Sequence, residues 1–428
     1  MYKDVMEIDL RHVGWENSLW PKYFKKLRKQ YRKIEEVDTG IIKFHYSNSK
    51  LTEFQIQVFV YGFLSEFLDK ESPLRIEKSS SQYEKRLPLY QEPDSTAYLF
   101  YSTRLAIVQS RPELYEWLMQ YFIYLKLFYN TDSMNTLFFD EELEQIMNLE
   151  YVSYQEAGAD VIGYTREKID HGIYVNIHLD DFYLSGKDGF DIRHYVHENL
   201  IYGYSDKERV FYAFGFGKKQ KVQSFEITYE EFLWGYEKGK LFSFCGAKYL
   251  TGEYPWPVTL CSLKEIPKYS FEISCFVDKL KKHVYPLENE MVEGDLHIYG
   301  VNIYDAVLSE LRGESDRGFV DFRVFQIFYE QKKCIRRRLE FLQEKYSMEA
   351  ELEEFWTEYK KVEGSFQRIR LIYMKQLVME GRADTLDKDV LCETVNLGIA
   401  DKLEEVVEKE REVLESLLVI LEKKLENK

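Results

Sequence analysis

The stretch YVNIHLDDFYLSGKDGFDIRHYVHENLIYGYSDKERVFY, residues Tyr174–Tyr212, decides the fold. It opens on an apolar run that ends in Asp180-Asp181 and passes through a segment rich in Gly, Asp and Ser. It then reaches His197, Gly203-Tyr204 and a second apolar run. Short apolar runs separated by such punctuation have the period of β-strands. The pattern predicts strands at 173–179, 197–204, 209–214 and 222–227, with helices at about 162–170 and 228–238 on either side. His197 falls at the start of a buried strand, and Gly203-Tyr204 reads as the turn that ends it.

Working outward, residues 1–40 read as an extended lead followed by a basic amphipathic helix opened by Pro21, a residue suited to a first helical turn. The run TEFQIQVFVYGFLSEFL from Thr52 to Leu68 is apolar nearly all round, which predicts a buried helix. Residues 70–95 are polar and read as loop, and 96–147 read as helix-rich, with Trp117, Tyr121, Tyr124 and Phe128 near one face. Residues 240–300 mix strand and loop. Helices are expected at 301–312, 320–346, 348–380 and 399–426, the last with Leu403, Val406 or Val407, Val413 or Leu414, Leu417 and Leu421 on one stripe. That stripe packs either within the chain or across a homodimer.

At 428 residues, with roughly 100 to 200 residues expected per domain, two or three units are predicted. The apolar fraction of 45% and aromatic fraction of 16% exclude disorder over most of the length. The fold class is α+β: a mainly helical lobe over 1–150, an antiparallel β-rich half over 151–300, and a helical C-terminal domain over 301–428.

The net charge of -16 repels a phosphate backbone, so nucleic acid is not the expected partner. One concentrated basic stretch runs against that balance: Lys22, Lys25, Lys26, Arg28, Lys29, Arg32 and Lys33, at helical spacing with Tyr23, Phe24, Leu27 and Tyr31. It is either a solvated face or a docking face for an acidic partner. Cys245, Cys261, Cys275, Cys334 and Cys392 form no CxxC pair, which predicts reduced thiols in a cytoplasmic protein. The charged start lacks a signal-type apolar core, and no apolar run approaches about 18 residues, so no membrane segment is expected.

Phosphate-binding, dinucleotide-binding, zinc-peptidase and nucleophile-elbow motifs are absent, and no cofactor is expected. His178, Asp181, His194 and His197 have the residue types of a metal site, but nothing in their spacing orients the rings, so no metal is assigned.

The segment VNIHLDDFYLSGKDGFDIRHYVHENLIYGYSDKERVFYAFGF resembles the core of bacterial papain-like proteins of the butirosin-pathway acyltransferase type and, more distantly, the bacteriocin leader peptidases. There a strand carries a V-x-V-D-x-Y-Y run, a histidine opens the strand leading to G-Y-D, and a third strand reads V-F-Y-V-x-D. The likeness spans about 155–240, and the run from Asp321 to Lys333 is similar to the helical tails of such proteins. The resemblance implies a papain-like domain with a central antiparallel sheet. It further implies a cytoplasmic accessory protein of bacterial peptide or amide natural-product assembly, moving an acyl or peptidyl chain from a carrier protein.

On that resemblance His197 is the general base. The nucleophile would come from the start of an early buried helix, where no cysteine precedes position 245 and Ser47 or Ser49 stands instead. A serine hydroxyl is a weaker nucleophile than a thiolate and needs strong activation. The orienting acid would fall near Ala213–Phe216, which carries no carboxylate or amide. Cys245 follows the histidine, out of order for such a site, and reads as a buried thiol. These departures keep open a catalytically inactive scaffold or carrier-protein binding partner on the same fold.

Overall fold

The structure is a computed structural model. It describes residues 5–11, 17–31, 34–45, 56, 60, 63–64, 67, 83–129, 136–139, 143–158, 160–243, 257–265, 269–292, 295–314, 320–379 and 393–426. In chain order the strands are β1 (Val5–Asp9), β2 (Ile34–Asp38), β3 (Ile41–His45), β4 (Glu84–Arg86), β5 (Leu125–Tyr129), β6 (Thr136–Phe139), β7 (Met147–Val152), β8 (Tyr174–Asp180), β9 (Val196–Ser205), β10 (Val210–Phe216), β11 (Val222–Thr228), β12 (Val258–Leu263), β13 (Glu290–Val292) and β14 (Asp295–Tyr299). The helices are α1 (Trp20–Gln30), α2 (Leu99–Gln109), α3 (Tyr115–Gln120), α4 (Tyr154–Ala157), α5 (Val161–Asp170), α6 (Tyr229–Ser243), α7 (Ile273–Val284), α8 (Asn302–Leu311), α9 (Phe322–Tyr346), α10 (Glu349–Met379) and α11 (Glu393–Glu426).

Mixed helix and antiparallel sheet make the class α+β. The chain divides into two compact units: residues 1–91 with 146–264, and 92–145 with 265–428. This grouping differs from three consecutive segments cut at 150 and 300, because the chain leaves the first unit after Gln91 and returns at Ile146. The described residues before 150 mix helix and strand: the run Leu125–Tyr129, read as helix-rich, buries Leu125 and Leu127 with a period of two and forms a strand.

In the first unit a seven-stranded antiparallel sheet has the order β11-β10-β9-β8-β12-β7, with β4 added beside β9. The first half of β9 pairs with β8, from Val196 opposite Asp180 to Ile201 opposite Val175. Its second half pairs with β4. β8 is buried along its whole length although only every second residue from Val175 is apolar. Thr228 and Glu231 cap α6 reciprocally: the Glu231 carboxylate accepts from the Thr228 amide at 2.8 Å and the Thr228 hydroxyl accepts from the Glu231 amide at 3.1 Å.

A smaller sheet, ordered β1-β3-β2, packs with α1. Tyr23, Phe24 and Leu27 of α1 share a core with Ile42, with the helical residues Ile56, Val60, Leu64 and Phe67, and with Val196 of β9. The expected basic amphipathic helix is therefore present, its apolar face inward, and Ile56, Val60, Leu64 and Phe67, the described residues of 52–68 that enter this core, are buried along one face.

The second unit pairs a four-stranded antiparallel sheet, β13-β14-β5-β6, with long helices. Helices α8 to α11 fall within a few residues of their predicted spans, α11 starting earlier. The stripe on α11 is buried within its own chain, with Leu403, Leu414, Leu417 and Leu421 fully inaccessible, so it is an intramolecular packing face and not a dimer face. Arg338 of α9, also fully buried, donates to the carbonyls of Leu118 at 2.6 Å and Tyr121 at 3.0 Å. It thereby gives the carbonyls at the C-terminal end of α3 a charged donor.

Candidate functional site

Alternation along β8 sorts its side chains onto two faces. Val175, Ile177 and Leu179 point one way, and Gly235 of α6 sits close against the Cβ of Leu179. Asn176, His178 and Asp180 point the other way, an unusual polar row on a buried strand. Directly across from His178 lies Glu198 of β9, whose carboxylate accepts from the Asn176 amide at 2.8 Å. Nδ1 of His178 lies 3.2 Å from the Pro257 carbonyl.

Asp180 ends the row and is fully buried. Its Oδ1 accepts from the amides of Phe182 at 3.2 Å and Tyr195 at 3.0 Å, and its Oδ2 lies 2.6 Å from Nδ1 of His194. The His194 ring stacks on Phe182 with centroids 4.3 Å apart and planes at 18°. A carboxylate accepts only, so Nδ1 carries the proton and Nε2 of the neutral ring is the basic nitrogen. An imidazole fixed in this tautomer by a buried carboxylate has the arrangement found in the base-and-orienter half of a catalytic triad. The local fold explains the pairing: the strand ends at Asp180, the chain loops through Gly186 and Gly189, and the Tyr195 amide held by Asp180 brings it back with His194 alongside.

A second charged pair lies on the same connection. Lys187 and Asp181 are 3.5 Å apart, too far for a good hydrogen bond, and both are largely buried. Burial, with the Asp180 charge adding to it and Lys187 opposing it, pushes the Asp181 carboxyl up to about 6. Burial also pushes the Lys187 ammonium down against the pull of Asp181.

His197 lies at the start of β9 as expected, half-buried, opposite Leu179 and therefore on the other face from His178. Its ring sits 5.2 Å from Tyr195 and 5.8 Å from Phe216. The histidine held by a buried carboxylate is His194, with its acid on the preceding strand; the region Ala213–Phe216 is an apolar strand. Ser47, Ser49 and Cys245 lie outside the described residues. Among the described residues no three His, Cys, Asp or Glu side chains converge in a metal-binding arrangement. The grouping of His178, Asp181, His194 and His197 fails on geometry, because His178 and His197 point to opposite faces of the sheet.

Gly203-Tyr204 is not a turn, since β9 continues to Ser205. Gly203 is needed because β4 crosses closely there: a Cβ would stand 2.5 Å from the Lys85 carbonyl oxygen. The signal for the Asp180–His194 pair was present as an aspartate at a strand end and a histidine at the next strand's entry, but linear spacing alone does not reveal that the connection folds back on itself.

A second feature lies on the same unit. Pro21, Phe24, Lys25, Arg28, Lys29 and Glu36 line an open groove of about 550 Å³. No protein-family model matches this chain, and no curated protein matches it.

Proposed function

We propose that the chain catalyses acyl or peptidyl transfer from a carrier-held thioester to an amine, as a cytoplasmic accessory protein in the assembly of a peptide or amide natural product. His194 is the base and Asp180 its orienter, in place of the His197 assignment. The observation that carries this is the 2.6 Å contact between Nδ1 of His194 and a fully buried Asp180 held by two backbone amides. A base positioned in this way takes a proton from the attacking group as it adds to the thioester carbonyl, then returns it to the departing thiolate. The mixed helix and antiparallel sheet agree with the α+β class that the likeness implies, while the acid on the strand before the histidine departs from its pattern.

The test is amide formation from an acyl-pantetheine thioester and a primary amine, followed by mass spectrometry. Wild-type protein should form product, and His194→Asn should lower the rate by about 10²–10⁴-fold at an unchanged melting temperature. Product formed equally well by the variant removes His194 from the reaction. A second reading, a non-catalytic scaffold on the same fold, is favoured by the burial of Nε2 of His194. It predicts no product from either protein.

A further inference from the structure

The groove along α1 is built from residues that the proposed chemistry leaves unused. Pro21, Lys25, Arg28 and Lys29 recur at three- and four-residue spacing, so they share one face of the helix. All four are exposed, whereas Tyr23 and Leu27 on the inward face are fully buried. Phe24 is nearly buried and stacks on Trp20 at 5.6 Å, giving the groove an apolar floor beneath its basic rim. The single carboxylate in the lining, Glu36, accepts from the Trp20 indole at 2.5 Å. Among the described residues no carboxylate pairs with Lys25, Arg28 or Lys29.

This concentration of positive charge stands on a chain whose net charge is -16. Charge of one sign over an apolar floor suits a surface that supplies the opposite sign and an apolar contact together. A bare phosphate backbone offers charge without an apolar face, and the acidic remainder of the chain repels it.

We propose that the α1 groove docks an acidic amphipathic helix on the surface of a partner protein, its carboxylates meeting Lys25, Arg28 and Lys29 and its apolar side chains resting on Phe24 and Pro21. The inference rests on the groove alone and stands apart from any catalytic role of His194.

The experiment uses the full chain and three fluorescein-labelled probes of equal length: an amphipathic helical peptide rich in Glu and Leu, polyglutamate, and single-stranded DNA. The acidic helix should bind at low salt, bind about tenfold more weakly to the Lys25→Glu/Arg28→Glu/Lys29→Glu variant, and weaken on raising the salt. His194→Asn should bind it as wild type does, which separates this inference from the catalytic one. The neutral variant Lys25→Gln/Arg28→Gln/Lys29→Gln guards against misfolding and should fall between the two. Absence of binding, equal binding by the charge-reversed variant, or DNA and polyglutamate binding as tightly as the amphipathic helix would each overturn the proposal.

Discussion

Lys332→Met should unfold the second unit far more readily than its modest change in size suggests. Lys332 and Glu410 are both fully buried and 2.8 Å apart, joining α9 to α11. Glu410 also accepts from the hydroxyls of Tyr304 at 2.7 Å and Tyr359 at 2.6 Å, adding α8 and α10. Lys332 donates to Gln331, whose amide donates to the Ile123 carbonyl at 2.7 Å and lies 3.0 Å from Nε2 of His283 in α7. Burial, reinforced by the Lys332 charge, pushes the His283 pKa well down, so its ring is neutral and Nε2 accepts. One polar network therefore fixes five helices.

Removing the ammonium leaves a buried carboxylate with two phenol donors and no counter-charge, which costs about 3–5 kcal/mol. Removing the carboxylate too, by Lys332→Met/Glu410→Leu, eliminates the stranded charge but leaves two tyrosine hydroxyls unpaired at about 1–3 kcal/mol each. Adding Tyr304→Phe and Tyr359→Phe should recover most of the loss. The assay is urea unfolding followed by far-ultraviolet circular dichroism, which the helices of this unit dominate. A single-variant loss below about 1 kcal/mol, or a quadruple variant as unstable as the single one, would refute the reasoning.

Three further outcomes follow from the first unit. Lys219 and Gln220, at the tip of the β10–β11 hairpin, have φ of 62° and 52°, and their amides donate to Asp188 at 2.9 Å each. Lys219→Gly/Gln220→Gly should raise the urea midpoint by an amount equivalent to about 1 kcal/mol, while Asp188→Ala lowers it. Gly203→Ala should free β4 from β9, read as faster amide exchange at Leu87, whose N–H donates to the Tyr202 carbonyl at 2.7 Å. For Asp181 the folded pKa lies above the unfolded one, so its contribution is full below the unfolded pKa and is lost as pH rises towards about 6. A rise from 3.8 to about 6, at about 1.4 kcal/mol per pH unit, makes the stability of Asp181→Asn relative to wild type climb by about 2 kcal/mol between pH 4 and 6, out of about 3 kcal/mol over the whole titration. A flat difference in urea melts across that range would contradict the burial of this carboxyl.

Strand and helix spans over 160–240 and beyond 301 were legible because period-two runs such as Val175, Ile177 and Leu179 alternate cleanly, and because caps such as Thr228 with Glu231 mark helix starts, whereas the helix Ile273–Val284 was missed in a stretch read as strand and loop. The division into units was not legible, because it depends on where the chain crosses from one compact body to the other and back, at Gln91 and Ile146. At the site, the sequence pointed to His197, whereas the ring that meets a carboxylate is His194, three residues earlier, and only the fold-back after Asp180 decides which ring does so. Gly203 was misread because a glycine in a strand and a glycine in a turn look alike in sequence, and the difference is the close passage of β4.

On the proposed reading, Asp180 holds His194 as an Nδ1–H imidazole whose Nε2 is the base. The most direct measurement is a long-range ¹H–¹⁵N correlation spectrum of the histidine side chains, with His194 assigned by its absence in His194→Asn. Wild-type protein should carry a proton on Nδ1 and none on Nε2, with that preference lost in Asp180→Asn, whose amide donates as well as accepts. An Nε2–H tautomer, or a pattern that Asp180→Asn leaves unchanged, would contradict it.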